Sequence, residues 1–226
     1  MRLYYMTCQR WGLVILKERR LKLSTIPELN DPFELLGVSI GENNIRRIMK
    51  ILHAHWSQTM GIICFTDNWH SPVMWAHYAE KHNGLCLGFD LSDAKGFVQK
   101  VRYRPHRLRN LLDSSKRLDG VDNAIIEEML TTKYKGWSYE QEYRVFAELK
   151  DQQTNGLYYF DFGPELMLRE VILGARCKLS VGSVAKAVGK PPHSVQVFKA
   201  RPAFDSFQIV RQKRVTPLNI KAASAS

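Results

Sequence analysis

The stretch Trp137-Ser-Tyr-Glu-Gln-Glu-Tyr-Arg144, WSYEQEYR, sets two carboxylates two positions apart among aromatic rings and ends on an arginine. Read on through VFAEL, it alternates with a period of two, which is typical of a β-strand. In such a strand Glu140, Glu142 and Arg144 would share one face. The pattern has two interpretations: a solvated ladder of charges on a sheet surface, or a pair of working carboxylates in a cleft.

Apolar runs with the length and composition of strands recur along the chain. Strands are expected at residues 3–7, 61–66, 85–90, 142–149, 157–162 and 170–173, with short ones at 195–199 and 207–210. A return strand is also expected in RLKLS, after the first helix. The polar segment DQQTNG, between 142–149 and 157–162, is typical of a hairpin turn.

Four segments carry helix signals. Helices are expected for about two turns within GLVILKERR, over 42–58, from Pro72 onward, and over 121–135. The third has Ser71 as its N-cap and ends near Asn83-Gly84. Because strands outnumber helices and many are separated by turns, the predicted fold class is α+β, with mixed, mostly antiparallel sheets flanked by helices.

Length and composition favour one globular domain. The chain has 226 residues, 45% of them hydrophobic, and we expect a single domain over 1–220 followed by a disordered tail, KAASAS, at 221–226. No apolar run is long enough to span a bilayer and no leader pattern is present, so the expected location is the cytoplasm, without a membrane partner. Four scattered cysteines and unsuitable histidine spacings indicate free thiols and no metal site.

The charge is strongly positive and clustered. Thirty-three Lys and Arg against 22 Asp and Glu give a formal net charge of +11. The excess lies in KERRLK at 17–22, RYRPHRLRN at 102–110 and RQKR at 211–214. Such patches attract phosphate-bearing partners, nucleic acid above all, although a merely basic protein would show them too.

The helix after Ser71 carries the second unusual set of residues. No phosphate-binding glycine motif of the P-loop or Rossmann type is present. In SPVMWAHYAEKH, however, the polar tips of Ser71, His77 and Tyr78 are expected to cluster near the end of a strand, where ligands commonly bind. Flat rings there could stack on a heterocycle, or they could serve only in packing.

The acids and the rings together favour one chemistry, cleavage of an N-glycosidic bond. Breaking nicotinamide away from NAD develops positive charge on the ribose, and a fixed carboxylate beside that sugar stabilises the charge. Glu142 would supply this carboxylate, while Glu140 would position or activate the acceptor. Arg144 would be a structural partner that orients them.

Several separated motifs resemble a widespread bacterial family long described as a domain of unknown function. They are Leu29-Asn-Asp-Pro-Phe-Glu34, Met74-Trp-Ala-His-Tyr-Ala79 with Gly84 and Gly88-Phe-Asp90, Trp137-x-x-Glu-x-Glu-Tyr-Arg144, and Leu173-Gly174. The resemblance covers about residues 3–176. More distantly, the arrangement resembles the ADP-ribosyltransferase superfamily, including its PARP-like and DarT-like branches.

This second resemblance implies an ADP-ribosyltransferase-like fold and a set of site residues. Tyr5 or Thr7, on the first strand, would hold a ribose of NAD. The strand from Gly61 to Thr66 would form the second motif together with Ser71 and Tyr78. Glu142 would be catalytic with Glu140 as its helper. Two pairs of contacts with NAD are also expected: Trp75 and His77 in the nicotinamide pocket, and Asn30 and Asp31 in a turn that either closes over NAD or caps a helix.

The function that the resemblance implies is NAD-dependent ADP-ribosyl transfer to a macromolecule, with nucleic acid, RNA or DNA, as the expected target and NAD as a substrate. Related architectures serve as toxins in antiphage or toxin-antitoxin modules, which implies an antitoxin or chaperone partner. Two alternatives stay open from the residues: a non-catalytic basic nucleic-acid-binding protein, and a glycosidase or metal-dependent nuclease that uses the same acids.

Overall fold

The computed structural model describes residues 1–92, 98–109 and 122–223. Within them the strands, in chain order, are β1 Arg2–Thr7, β2 Arg20–Leu23, β3 Met60–Thr66, β4 Leu85–Leu91, β5 Val98–Lys100, β6 Arg102–Arg104, β7 Thr132–Tyr134, β8 Glu142–Glu148, β9 Tyr158–Asp161, β10 Leu166–Leu173, β11 Val195–Pro202, β12 Ile209–Arg211 and β13 Leu218–Ile220. The helices are α1 Gln9–Glu18, α2 Asn43–Thr59, α3 Pro72–Tyr78, α4 Asn123–Thr131 and α5 Val181–Val188, with short 3₁₀ helices at Ile26–Glu28 and Lys135–Glu140.

One large sheet joins strands from both ends of the chain. Its order is β12-β11-β10-β4-β1-β3-β8-β5, and β13 also pairs with β11. All of these pairs are antiparallel except β10 with β11. Two small sheets, antiparallel β2-β9 and parallel β6-β7, complete the strands of the described ranges. The fold is α+β with mixed, mostly antiparallel sheets and several helices, as the strand and helix patterns predict.

The continuous apolar sequence of β4 reflects burial on both faces of the sheet. Leu85, Leu87 and Phe89 belong to a core cluster that also contains residues of α1 and α5. Cys86 points to the opposite face, into a second cluster with Trp75 of α3. A strand covered on both faces has no polar side to alternate with, which explains the near-continuous run LCLGFDL.

Helix α2 forms a separate core beside β3. Its buried stripe is the one that the 3.6-residue period predicts: Ile45, Ile48, Met49, Leu52 and Trp56. These side chains pack with Ile62 of β3, with Met129 of α4 and with Leu35 in the segment that precedes α2. The helix therefore anchors residues 26–40 against the sheet, and part of that segment lines the candidate site.

The start of the strand expected at 142–149 is confirmed by β8, but two other expectations are wrong. Glu140 is not on a strand face with Glu142 and Arg144, because Lys135–Glu140 is a 3₁₀ helix and Gln141 follows in the left-handed conformation with a φ of 46°. The segment DQQTNG is also no hairpin, because β8 pairs with β3 and β5 while β9 pairs with β2.

The end of the third helix also differs from its prediction. Helix α3 stops at Tyr78, because Glu80, Lys81 and His82 all have left-handed backbone conformations. Helix α5, strands β5, β6, β7 and β13, and the 3₁₀ helices are additions that sequence patterns did not predict. In the tail, residues 221–223 are exposed and outside regular structure, and residues 224–226 lie outside the described residues, as does the 110–121 part of the predicted basic excursion and helix.

Gly84 permits the close approach that follows α3. Its N–H donates to the carbonyl of Ala79 at 2.8 Å, and a Cβ at this position would stand 2.1 Å from the carbonyl oxygen of Thr7. The obstacle is backbone on two sides, which cannot rotate away as a flexible side chain could. A side chain here would force β1 and the start of β4 apart.

We expect Gly84→Ala to lower the free energy of unfolding by about 3 kcal/mol, because overpacking against rigid backbone is destabilising. Urea denaturation followed by circular dichroism measures this change. Gly41→Ala is the matched control, since no atom lies within 4 Å of the place that its new methyl group would take. Equal midpoints for the two variants would contradict the packing assignment.

Candidate functional site

A cavity of about 280 Å³ lies where β1 and β3 diverge. These neighbouring strands share one register pair, Tyr4 with Thr66, whereas β3 and β8 share seven. Consecutive residues of both strands line the cavity, Tyr4 to Met6 and Ile62 to Thr66. Because successive side chains of a strand alternate between faces, this lining means that the strand edges themselves border the cavity.

The edge of β3 leaves a gap at Cys64. Two residues earlier, Ile62 exchanges both backbone hydrogen bonds with Ser24, at 2.8 and 2.9 Å. Alternate residues of a strand direct their N–H and C=O to the same edge, so the backbone groups of Cys64 face this edge too. They lie between the Ser24–Ile62 bridge and the Tyr4–Thr66 pair, beside the cavity. The site thus borders a backbone donor and acceptor.

Both glutamates of the opening motif line the cavity, although they belong to different elements. Glu140 ends the 3₁₀ helix and Glu142 begins β8, with the left-handed Gln141 between them. That turn lets the two carboxylates converge on one cation: Lys133 Nζ lies 2.6 Å from Glu140 Oε2 and 2.8 Å from Glu142 Oε2. A turn, and not a shared strand face, therefore brings the two acids together.

Arg144 connects this pair to a distant turn. Its side chain is fully buried, with Nε donating to Glu142 Oε1 at 2.8 Å and one terminal nitrogen donating to both oxygens of Glu34 at 2.7 and 2.9 Å. The other terminal nitrogen donates to the carbonyl of Leu130 at 2.8 Å. Lys133 Nζ also lies 3.1 Å from Glu34 Oε1. The five charged residues form what we call the buried charge cluster: Glu34, Lys133, Glu140, Glu142 and Arg144.

The cluster gives its two cavity acids different proton affinities. Burial favours the neutral form of Glu142, but the charges and hydrogen bonds of Arg144 and Lys133 outweigh it and lower the pKa to about 2. For Glu140 burial is the dominant effect, and the pKa is raised despite the opposing contacts of Lys133 and Tyr78. Burial alone would lower the pKa of Lys133, yet the three carboxylates raise it, so this lysine stays protonated.

Aromatic and thiol groups surround the acids. The Tyr78 hydroxyl donates to Glu140 Oε1, and burial together with this hydrogen bond raises the pKa of the phenol. The Tyr103 hydroxyl accepts a hydrogen bond of 2.8 Å from the backbone N–H of Glu142 and so fixes the start of β8. Cys64 lines the cavity, and desolvation by the densely packed protein around it, together with the neighbouring Glu142, raises the pKa of its thiol. A thiolate nucleophile is therefore disfavoured at this position.

Six of the ten predicted site residues line the cavity. They are Tyr5, Asn30, Asp31, Tyr78, Glu140 and Glu142. Asp31 also has a structural role: its Oδ1 accepts a hydrogen bond of 2.9 Å from the N–H of Phe33 and so caps the NDPFE turn. The turn thus borders the cavity and is held by its own aspartate.

The other four lie outside the cavity lining. Thr7 is buried and pairs with Leu85 of β4. Ser71 caps α3 by accepting a hydrogen bond from the N–H of Met74. Trp75 is fully buried, and its indole N–H donates to the carbonyl of Trp69 at 2.6 Å. His77 is exposed and stacks on Tyr139, with ring centroids 5.9 Å apart.

Sequence reasoning missed most of the residues that hold the acids. Glu34 was visible within the motif NDPFE, yet nothing in its spacing indicated a contact with a residue 110 positions later. Nothing in the surrounding sequence, TTKYKGW, indicated that Lys133 contacts the two acids. Tyr4, Thr66 and Trp137 also line the cavity. The sequence pattern around them indicates only strand or packing residues. Tyr4 and Thr66 border the cavity because β1 and β3 diverge there, which the sequence does not reveal.

Neither a group of metal-ligating side chains nor a membrane-crossing helix is found among the residues that the structure describes. Within residues 1–92, 98–109 and 122–223, no group of three or more His, Cys, Asp or Glu side chains is placed to hold a metal ion. In the buried charge cluster the carboxylate oxygens are already occupied by Lys133 and Arg144. The same described ranges contain no helix whose length and apolar character would let it cross a membrane.

A family model described as Protein of unknown function (DUF2971) matches residues 74–145. The matched segment contains MWAHYA and WxxExEYR, two of the motifs on which the resemblance rests. The resemblance to a family of unknown function is therefore confirmed over this segment. No curated protein and no solved structure matches the chain. The likeness to ADP-ribosyltransferases, in fold and in activity, stays a prediction.

We expect Lys133→Met to lower the free energy of unfolding by about 3 kcal/mol, because it leaves buried Glu140 without a cation and leaves Glu34 and Glu142 to share Arg144 alone. Chemical denaturation of the purified variant measures the change. The matched control is Lys150→Met, which removes only an exposed pair with Glu148 and should leave stability unchanged within error. A Lys133→Met protein as stable as the wild type would mean that the cluster is not held by this cation.

Proposed function

We propose that this chain is an NAD-dependent ADP-ribosyltransferase that modifies a macromolecule. One observation carries the proposal: the cavity wall contains three buried carboxylates that face two cations, which leaves negative charge uncompensated next to an aromatic-lined space. Uncompensated negative charge in a poorly solvated wall stabilises a cation that forms beside it. The ribose of NAD becomes such a cation when nicotinamide departs.

The two acids have the properties that the reaction requires. With its pKa near 2, Glu142 stays ionised and fixed by two cations, so it supplies a permanent negative charge. Glu140, whose pKa is raised, is better suited to receive a proton. In the proposed step the bond between ribose C1′ and the nicotinamide nitrogen breaks, and its electron pair leaves with nicotinamide. The acceptor's nucleophilic atom bonds to C1′ and passes its proton to Glu140.

The size of the cavity fits half of the dinucleotide. At about 280 Å³ it lies just below the range of about 300 to 1,000 Å³ that is usual for ligand pockets. Nicotinamide and its ribose would therefore occupy it, with the adenylate half outside. The rings of Tyr78 and Trp137 line the cavity and offer stacking surfaces for nicotinamide. The backbone groups of Cys64 are suited to its carboxamide, which carries one donor group and one acceptor.

The remaining expectations of the resemblance belong to this proposal. Service as a toxin in an antiphage or toxin-antitoxin module, and control by an antitoxin or chaperone, rest on resemblance alone. A non-catalytic nucleic-acid-binding protein is the competing function, favoured by the net charge of +11. A metal-dependent nuclease is less compatible with the site, because Lys133 and Arg144 hold the carboxylates that a metal would need.

We expect Glu142→Gln to reduce transfer of the ADP-ribosyl group by about 100-fold or more, because it removes the fixed charge beside the ribose. The assay uses NAD labelled on its adenylate half and separate pools of DNA, RNA and protein. Glu140→Gln should also reduce transfer, most strongly with acceptors that must lose a proton.

Glu148→Gln is the matched control for this assay. This substitution changes the other glutamate of β8, which lies at the surface. The variant should transfer label at the wild-type rate. Circular dichroism establishes that each variant is folded. Normal transfer by a folded Glu142→Gln protein, or the absence of label from all three pools with the wild type, would refute the proposal.

A further inference from the structure

The β11-β12 hairpin displays two aromatic rings in solvent. Its connecting segment, residues 203–208, which we call the hairpin tip, carries Phe204 at 84% exposure and Phe207 at 98%. They are the two most exposed large hydrophobic side chains of the described residues. Such exposure is unfavourable in isolation, and neighbouring apolar rings at one spot commonly mark a contact surface.

The hairpin tip is held firmly in place. The N–H of Ala203 donates to the carbonyl of Gln208 at 2.8 Å and closes the turn. Ile209 is buried, and its N–H donates to the carbonyl of His70 at 2.8 Å while the ring of His70 contacts its carbonyl at 2.7 Å. The rings are therefore displayed from a fixed platform, which reduces the entropy lost on binding.

Unneutralised positive charge lies along the same hairpin, with one arginine directly on a tip ring. Arg201, Arg211, Lys213 and Arg214 form no ion pair with any carboxylate in the part of the chain that the structure describes. The Arg201 guanidinium lies 4.0 Å from the centroid of the Phe204 ring. Asp205 is the single acid of the stretch from Ala200 to Arg214. A surface of this charge is complementary to a polyanion.

The other basic clusters of the sequence are partly neutralised. In the 102–110 segment, Arg102 and Arg104 pair with Glu127 and Glu128 of α4. In the 17–22 segment, Arg20 pairs with Glu18 and Lys22 with Glu28. Of the three clusters that the sequence shows, the one at the β11-β12 hairpin is therefore the most available to a polyanion.

We propose that the β11-β12 hairpin binds single-stranded nucleic acid. Unpaired bases stack on Phe204 and Phe207, and the backbone phosphates lie against Arg201 beside the tip and against Lys213 and Arg214, which follow β12. Aromatic rings interleaved with cations are the usual means of binding single strands without sequence preference. A duplex keeps its bases stacked within itself and cannot use the rings in this way.

The surface is separate from the cavity acids. In the sheet, β12 occupies one end of the strand order, and five strands stand between it and β8, where Glu142 lies. Binding at the hairpin therefore does not require the proposed transferase activity. If both hold, the hairpin would select the acceptor, and single-stranded nucleic acid would be the macromolecule that is modified.

An anionic membrane is the partner that the hairpin tip fits less well. Insertion of both rings into a bilayer would carry Asp205, which lies between them in sequence, out of water. Removing a carboxylate from water without a partner is strongly unfavourable. Stacking against bases leaves Asp205 hydrated.

The test is fluorescence anisotropy with a labelled mixed-sequence 20-mer as single-stranded RNA, as single-stranded DNA and as the DNA duplex. We expect Phe204→Ala/Phe207→Ala to weaken binding of the single strands by about 10-fold or more, because removing each ring removes its stacking interaction with a base. Wild-type binding should be tighter for single strands than for the duplex and should weaken steeply with salt.

Trp11→Ala is the matched control, because it removes another exposed ring that pairs with an arginine, Arg10, on a different element. It should bind as the wild type does, and all variants are checked for unchanged melting temperature. Two results would overturn the proposal: unchanged single-strand binding in the double variant, or sedimentation with vesicles of phosphatidylserine and phosphatidylcholine that the double variant loses while oligonucleotide binding persists.

The same measurements separate this inference from the proposed enzyme. Glu142→Gln, which removes the proposed catalytic charge, should bind the oligonucleotide as the wild type does. Hairpin-dependent binding by a wild-type protein that transfers no label from NAD would uphold the binding surface and refute the transferase. Label transfer with no hairpin-dependent binding would uphold the transferase and refute the binding surface.

Discussion

The guanidinium of Arg144, buried between Glu34 and Glu142, is the interaction on which the site depends. It joins the NDPFE turn, the start of β8 and, through the carbonyl of Leu130, the end of α4. A buried cation is tolerated only if carboxylates and carbonyls satisfy it, and a buried carboxylate only if cations do. These segments therefore hold one another in a single arrangement, and the cavity lies beside it.

This arrangement explains how two neighbouring acids acquire different proton affinities. Glu142 receives hydrogen bonds from two cations and has its pKa lowered, whereas Glu140 shares one cation and meets the hydroxyl of Tyr78. Pairs of acids whose environments separate their pKa values are common in acid-base catalysis. An equal sharing of Lys133 and Arg144 would lower the pKa of both acids, and neither would then bind a proton readily.

The sequence patterns predict the elements of the fold well and their connections poorly. The buried stripe of α2 and the apolar run of β4 follow from burial alone, so periodicity finds them. Periodicity does not find the 3₁₀ helix before Gln141, because the alternation in WSYEQEYR is that of a strand. The turn is fixed instead by Tyr103 and Lys133, which lie elsewhere in the chain. The pairing of β9 with β2, which sets Tyr158 beside Leu23, likewise leaves no local signal.

The candidate site shows the same division. Glu140 and Glu142 could be found because acids among apolar residues need a reason to be there. Trp75 and Ser71 looked equally informative, yet one fills the core and the other caps α3. Residue type and spacing cannot distinguish a capping serine from a ligand-binding one, since both follow a strand and precede a helix. The cavity itself arises from the divergence of β1 and β3, which no short motif encodes.

A double-mutant cycle between Glu34 and Arg144 tests the dependence of the site on this ion pair most directly. It compares the free energies of unfolding of the wild type, Glu34→Gln, Arg144→Met and the double variant, so that only the coupling of the two side chains remains. We predict a coupling energy of about 1 kcal/mol or more, because each single change leaves the other charge buried and poorly paired. Additivity within about 0.5 kcal/mol would contradict this dependence, since the turn and the acid pair would then be independent.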